Sequence, residues 1–326
     1  MPQPDQQKQQ RFFSGQSLLT ALLFLLPSAA PSLLAWLIPL LAVPVFLLLQ
    51  AVGNDRQALL LLRNGLLTGG AGALLLGTEE IYLFSLIQLP LAWSLRRSAA
   101  QGKSPAAAGG AGLAMLGLSW LAFWFCYGIL SSSNPYTSLL AELQDGLTQL
   151  VEAYRTGGLE ISAEMLYSLE LTTAWLRQRL SVLLPGLLIS GLVLTVWLNL
   201  LISSWLLGKV RPDKAPWPEY RCWRLPDQLI WLLIAGAALA AVGTGHAQTI
   251  GFTLAAVAAL VYFFQGAAVF AHLLHRWKVP PLWRFFLYFI VAAQSYGVLL
   301  LTVTGVADIW ADFRKLAQDE QDSSQS

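Results

Sequence analysis

Charge is scarce in this chain: only 12% of its 326 residues are Asp, Glu, Lys or Arg, and the formal net charge is +2. Soluble domains carry about 25% charged residues to solvate their surfaces, so a water-exposed globule is excluded. The small positive excess falls in short clusters instead of one stripe, which excludes a nucleic-acid partner. Cysteine is scarcer still. Cys126 lies in an apolar run and Cys222 in a basic loop, with neither metal-ligand spacing nor the density of a disulfide framework, so no bridge between them is expected. Of the three histidines, His272 and His275 lie near each other and His246 stands alone. Without a third ligand or an acidic partner they predict no metal, and no cofactor is expected. Glu79 and Glu80 point about 100° apart on a helix, which suits capping better than a shared-proton dyad. No glycine-rich nucleotide loop, nucleophile elbow or zincin motif occurs, so the chain is expected to be neither an enzyme nor its own ATPase.

Apolar residues are abundant, at 56%, with mean hydropathy +0.57. They gather in runs of about 20 residues, the length at which a helix crosses roughly 30 Å of hydrocarbon. The runs are 17–31, 32–50, 57–76, 80–95, 108–131, 183–208, 228–245, 249–273 and 285–306. They predict an all-α, polytopic transmembrane bundle of about eight or nine spans in the lipid bilayer. The first two runs are expected to form a tight hairpin around Pro27 and Pro31; the alternative is a secretory signal, since the first run follows Lys8 and Arg11 and ends in small residues.

Basic residues near span ends stay on the cytoplasmic side. Lys8, Arg11, Arg56, Arg96, Arg97, Lys103, Lys209, Arg211, Lys214, Arg221, Arg224, Arg276, Lys278 and Arg284 alternate consistently with loops poor in Lys and Arg at 77–80, 132–182 and 243–249. The expected organisation is a disordered cytosolic N-terminus over 1–14, membrane helices over 15–131, an extracytoplasmic segment over 132–182, further membrane helices over 183–306 and a polar tail over 307–326. In 132–182, Asn134 as N-cap, Pro135 at the first helical position and Leu139, Leu143, Leu147, Leu150 and Tyr154 at helical spacing predict an amphipathic helix ended by the glycines at 157 and 158. A second helix is expected to carry Glu160 and Glu164 early and Arg177 and Arg179 late, and to break at Pro185. Such a pair could lid a site, lie on the bilayer or pad the bundle. In the loop before residue 228, Trp217, Tyr220 and Trp223 suit the headgroup level while Arg221 and Arg224 reach phosphates, so Arg221, Trp223 and Arg224 form the expected cytosolic interface.

Gly65, Gly69, Ala73 and Gly77 recur every fourth position and predict a smooth ridge for close helix packing. Four amides fall within apolar runs: Gln88, Asn199 (with Ser203 one turn later), Gln265 and Gln294. Amides in hydrocarbon require partners, so these four are the candidate substrate-binding residues, with interhelical bonding as the structural alternative.

Four blocks carry a resemblance: WRLPDQLIW at 223–231, YFFQGAAVF at 262–270, the turn KVPP at 278–281 and GVADIWADFRKL at 305–316. The C-terminal half resembles the YybS-like family of uncharacterised bacterial multi-pass membrane proteins, and the outer segment shares its NPY opening. The resemblance implies a distant grouping with the substrate-binding S-components of energy-coupling-factor transporters, and with it an ATPase module or other membrane partner. The first run lacks the alanines four apart that S-components use for docking. The functional expectation is a component of the bacterial inner membrane, N-terminus cytosolic, that binds or transports a small neutral or zwitterionic solute. The alternative is a non-transport scaffold or envelope-assembly partner.

Overall fold

A computed structural model describes residues 4–52, 55–156 and 162–314. The described residues are almost entirely helical and contain no strand. The helices are α1 Pro4–Ala29, α2 Pro31–Leu34, α3 Ala42–Val52, α4 Asp55–Leu76, α5 Glu79–Ser85, α6 Gln88–Ala100, α7 Pro105–Ser131, α8 Pro135–Thr156, α9 Ala163–Val210, α10 Ile230–Val242, α11 His246–Arg276, α12 Pro281–Ala293 and α13 Ser295–Ala311. The protein is a polytopic helical membrane protein.

Among the described residues, α4, α7, α9 and α11 are each long and apolar enough to cross a bilayer. Two bent pairs, Gly15–Ala29 with Pro31–Leu40 at 105° and Pro281–Val291 with Tyr296–Ala311 at 102°, raise the number to at most six. The described residues thus give four to six candidate spans, with Ala42–Val52 and Asp227–Val242 as shorter apolar helices, for the eight or nine expected, because several apolar runs are not single straight helices. The run at 80–95 breaks between α5 and α6, and the run at 285–306 breaks at Gln294, whose backbone is extended. Residues 17–50 turn at Ala30, where Pro31 opens the next helix, whereas Pro27 is absorbed inside α1.

Cap chemistry sets several starts. The Asn134 side chain accepts the N–H groups of Tyr136 and Thr137, at 3.0 and 3.4 Å, with Pro135 in the first turn, and Ser162 caps Met165 at 3.2 Å. Pro185, expected to end a helix, lies inside the 48-residue α9. A proline removes one N–H and orphans the carbonyl four residues earlier; that carbonyl, of Ser181, instead accepts the Tyr136 hydroxyl at 3.1 Å. The glycines at 157 and 158, together with Glu160, lie outside the described residues.

The chain forms two compact units, Met1–Phe123 with Leu194–Arg224, and Trp124–Val193 with Leu225–Ser326. In the first, a Cβ on Gly65 would meet the Ser17 carbonyl and Thr20 Cβ, both at 2.7 Å, and one on Gly72 would meet Leu25 at 2.9 Å. The contacts advance together along both helices, so α1 and α4 run parallel, and the chain between them returns to the end where α1 began. Tyr82 packs over Gly69 and Gly70 and donates to the Leu66 carbonyl at 2.6 Å; Ala73 is fully buried. Gly77 does not extend this ridge. It has φ +66° and open space around it, and ends α4 in the left-handed conformation that glycine adopts without Cβ strain.

In the second unit, Gly236 lies against Ala255 and Gly251 against Ala240, so α10 and α11 run antiparallel. Gly266 lies against the Leu301 carbonyl and Gly305 against that of Tyr262, which sets α13 antiparallel to α11 at backbone contact. Helix α8 folds back on the start of α9, tied by Tyr136 to Ser181 at one end and by Arg155 to Glu170 at 2.6 Å at the other. The Glu170 hydrogen bond and charge hold the Arg155 guanidinium above its ordinary pKa.

Candidate functional site

The second unit holds a buried polar cluster built from three of the sequence blocks that carried the resemblance. Gln265, on α11, accepts the Leu225 N–H at 3.0 Å through Oε1 and donates to Asp308 Oδ2 at 2.8 Å through Nε2. The same Asp308 oxygen accepts Arg314 Nη2 at 2.7 Å, and the two side chains are 2% and 1% exposed. Asp308 closes one end of α13. Asp312 then adopts φ +38°, turning the chain back so that Arg314 reaches a carboxylate six positions earlier. Asp308 Oδ1 and the Tyr262 hydroxyl are buried and have no hydrogen-bond partner among the described residues. Sequence reasoning singled out Gln265 but missed Asp308 and Arg314, since the tail expected from 307 onward is here partly helix and partly core. The signal available was an aspartate inside an apolar helical run, where an ionisable group demands a partner.

In the first unit, Asn199 is fully buried and donates through Nδ2 to the carbonyls of Pro39 at 2.6 Å and Thr195 at 2.8 Å. Its Oδ1, Ser203 Oγ and Gln88 Oε1 have no hydrogen-bond partner among the described residues. Gln88 opens α6 and is buried. Gln294 is exposed at the joint between α12 and α13, where its carbonyl accepts Gly297 and Val298 N–H groups at 2.9 and 3.2 Å. Among the described residues the four candidate amides thus share no hydrogen-bond partner. Asn199 and Gln265 are engaged with their own units, and Gln294 caps a helix.

In the loop before α10, the Trp217 ring departs from its expected exposure. Trp217 is 4% exposed, stacks on Phe46 at 5.9 Å and donates to the Lys103 carbonyl at 3.1 Å, so it is core and its ring does not face lipid. Arg221 pairs with Glu219 at 2.6 Å, and Trp223 donates to the Pro218 carbonyl at 2.8 Å with its ring edge-on to Tyr220. Arg224 is half-buried.

An open groove of about 450 Å³ lies in the second unit, lined by Tyr136, Ser181, Val182, Pro185, Gly245, His246 and Thr249. The α8–α9 hairpin supplies one wall and the turn into α11 the other. Gly245 takes φ +56°, a conformation open to glycine, and thereby starts α11 beside the hairpin. The lining contains hydroxyl, imidazole and apolar groups and no Lys, Arg, Asp or Glu. Its volume lies in the range of small-molecule pockets, about 300–1,000 Å³. Among the described residues no group of three or more His, Cys, Asp or Glu side chains could hold a metal ion.

These features define a helical integral membrane protein with a buried charged cluster and a polar, uncharged groove among its described residues. The chain belongs to the family described as Predicted membrane protein (DUF2232), which it matches over residues 18–309. No curated protein and no solved structure matches it.

Proposed function

We propose that the protein is a solute-binding or transport component of the bacterial inner membrane, with its N-terminus cytosolic, and that the groove between the α8–α9 hairpin and the start of α11 receives a small neutral or zwitterionic solute from the extracytoplasmic side. The groove carries this proposal: all of its lining but Pro185 comes from residues 132–182 and 243–249, the two longer basic-poor loops, and it holds hydrogen-bonding groups without a fixed charge. The hairpin then acts as a lid, and Pro185 beneath it weakens α9 at the point where a lid would flex. Asn199 and Gln265 tie their units together through hydrogen bonds, and Gln294 shapes the α12–α13 joint. The YybS-like resemblance and its grouping with S-components favour the same class of function and supply an ATPase module or membrane partner for energy.

A second observation favours a scaffold role. Tyr167, Leu171 and Trp175 follow one another at four-residue intervals on α9 and are 67%, 61% and 57% exposed, an apolar stripe on which an envelope partner could dock. One experiment separates the two. Native mass spectrometry of protein gently extracted from its own membranes is expected to show a small-molecule adduct that disappears in Thr249→Leu, which fills the groove. A protein partner lost in Tyr167→Ser with Trp175→Ser, and no small-molecule adduct, would establish the scaffold instead.

A further inference from the structure

The first unit carries a second open groove, of about 780 Å³, between α1 and α4, lined by Ser17, Leu18, Gln57, Leu60, Leu61, Asn64 and Thr68. Gln57, Asn64 and Thr68 lie along one face of α4, inside a helix that is otherwise apolar enough to span the bilayer. Arg63 adjoins them, exposed, with its guanidinium bonded to Asn64 Oδ1 at 3.3 and 3.4 Å. It lies seven residues past Arg56, about 10 Å further along the helix, inside the candidate span Arg56–Leu76. An ionisable residue at that depth is costly unless an opposite charge or water meets it, and long basic side chains reach back toward phosphates. Leu59, Leu60 and Leu67 alongside are 50%, 49% and 67% exposed.

We propose that this groove binds one anionic phospholipid. The headgroup phosphate meets the Arg63 guanidinium and the Asn64 and Gln57 amides, and an acyl chain lies along Leu18, Leu60 and Leu67. Because α1 and α4 run parallel, the polar end of the groove is the end at which both helices enter the membrane, where a headgroup resides. The lining contains no carboxylate to serve Arg63. A second copy of the chain fits less well, since a two-fold contact on this groove would bring two Arg63 guanidinium groups into one interface whose lining has no carboxylate to offset them.

The test uses full-length protein reconstituted with equal phosphatidylglycerol and phosphatidylcholine, then released into mild detergent for native mass spectrometry. One phosphatidylglycerol per chain is expected to be retained in preference to phosphatidylcholine, with the preference reduced about tenfold in Arg63→Gln and kept in Arg63→Lys. Leu60→Trp, which fills the groove and leaves the charge untouched, is expected to lose the lipid as well, and it carries the test if Arg63→Gln does not fold. Excess inorganic phosphate should leave the adduct in place. Equal retention of both lipids, an unchanged preference in both Arg63→Gln and Leu60→Trp, displacement by phosphate alone, or a lipid-free dimer that dissociates in Arg63→Gln would each overturn the assignment.

Discussion

The side chain that most constrains its neighbours is Asp308. Its Oδ2 takes hydrogen bonds from Gln265 and Arg314 in a site closed to solvent, where a lone carboxylate or guanidinium is far less stable than the pair. Removing one partner of a buried ion pair costs about 3–5 kcal/mol, whereas an apolar replacement of both can be nearly neutral. Asp308→Leu and Arg314→Met are each expected to lower unfolding stability in detergent by about that amount, with the double variant less impaired than either single one. Additive losses in this cycle would show that the two side chains act independently. The amide of Gln265 was legible in the sequence because an uncharged polar group in an apolar helix requires a partner. Its pairing with Leu225 and Asp308 was not, because that depends on how α13 and the loop before α10 pack against α11, and Arg314 reaches Asp308 only after the reversal at Asp312.

At the scale of elements, α9 shows how a helix runs through a proline. Pro185 leaves the Ser181 carbonyl without its usual donor, and the Tyr136 hydroxyl supplies one from α8. Tyr136→Phe is expected to cost about 0.5–1.5 kcal/mol, the net value of one partly exposed hydrogen bond. In a Pro185→Ala background, where the new N–H can bond Ser181, the same change should cost little, as thermal unfolding of the four variants would show. Equal costs in both backgrounds would mean that the hydroxyl does not substitute for the missing donor. Periodicity predicted α8 and its Asn134 cap, since both are local. It did not predict passage through Pro185, because the compensating donor is 49 residues away in sequence, on another helix.

For the molecule as a whole, orientation is the property on which the groove proposal depends. Both cysteines are free, Cys126 on the apolar α7 and Cys222 half-buried in the basic loop. In a Cys126→Ala variant, Cys222 is expected to react with a membrane-impermeant maleimide in inverted vesicles and not in intact cells. Labelling in intact cells would reverse the orientation and place the Tyr136–His246 groove on the cytosolic side.

Composition and the lengths of the apolar runs were enough to establish a helical membrane protein, because crossing hydrocarbon leaves a backbone few options and local hydrogen bonding satisfies a helix wherever it sits. The glycine positions marked close packing for the same local reason, although Gly77 shows that a repeat can outrun the contact it suggests. Only the tertiary structure decided where runs bend, that Trp217 is core and that Gln265 meets Asp308 and Arg314. It likewise set Arg63 beside an open groove. Bends and pairings depend on what donors, acceptors and backbone surfaces distant segments bring together, and hydropathy along a chain contains no record of that meeting.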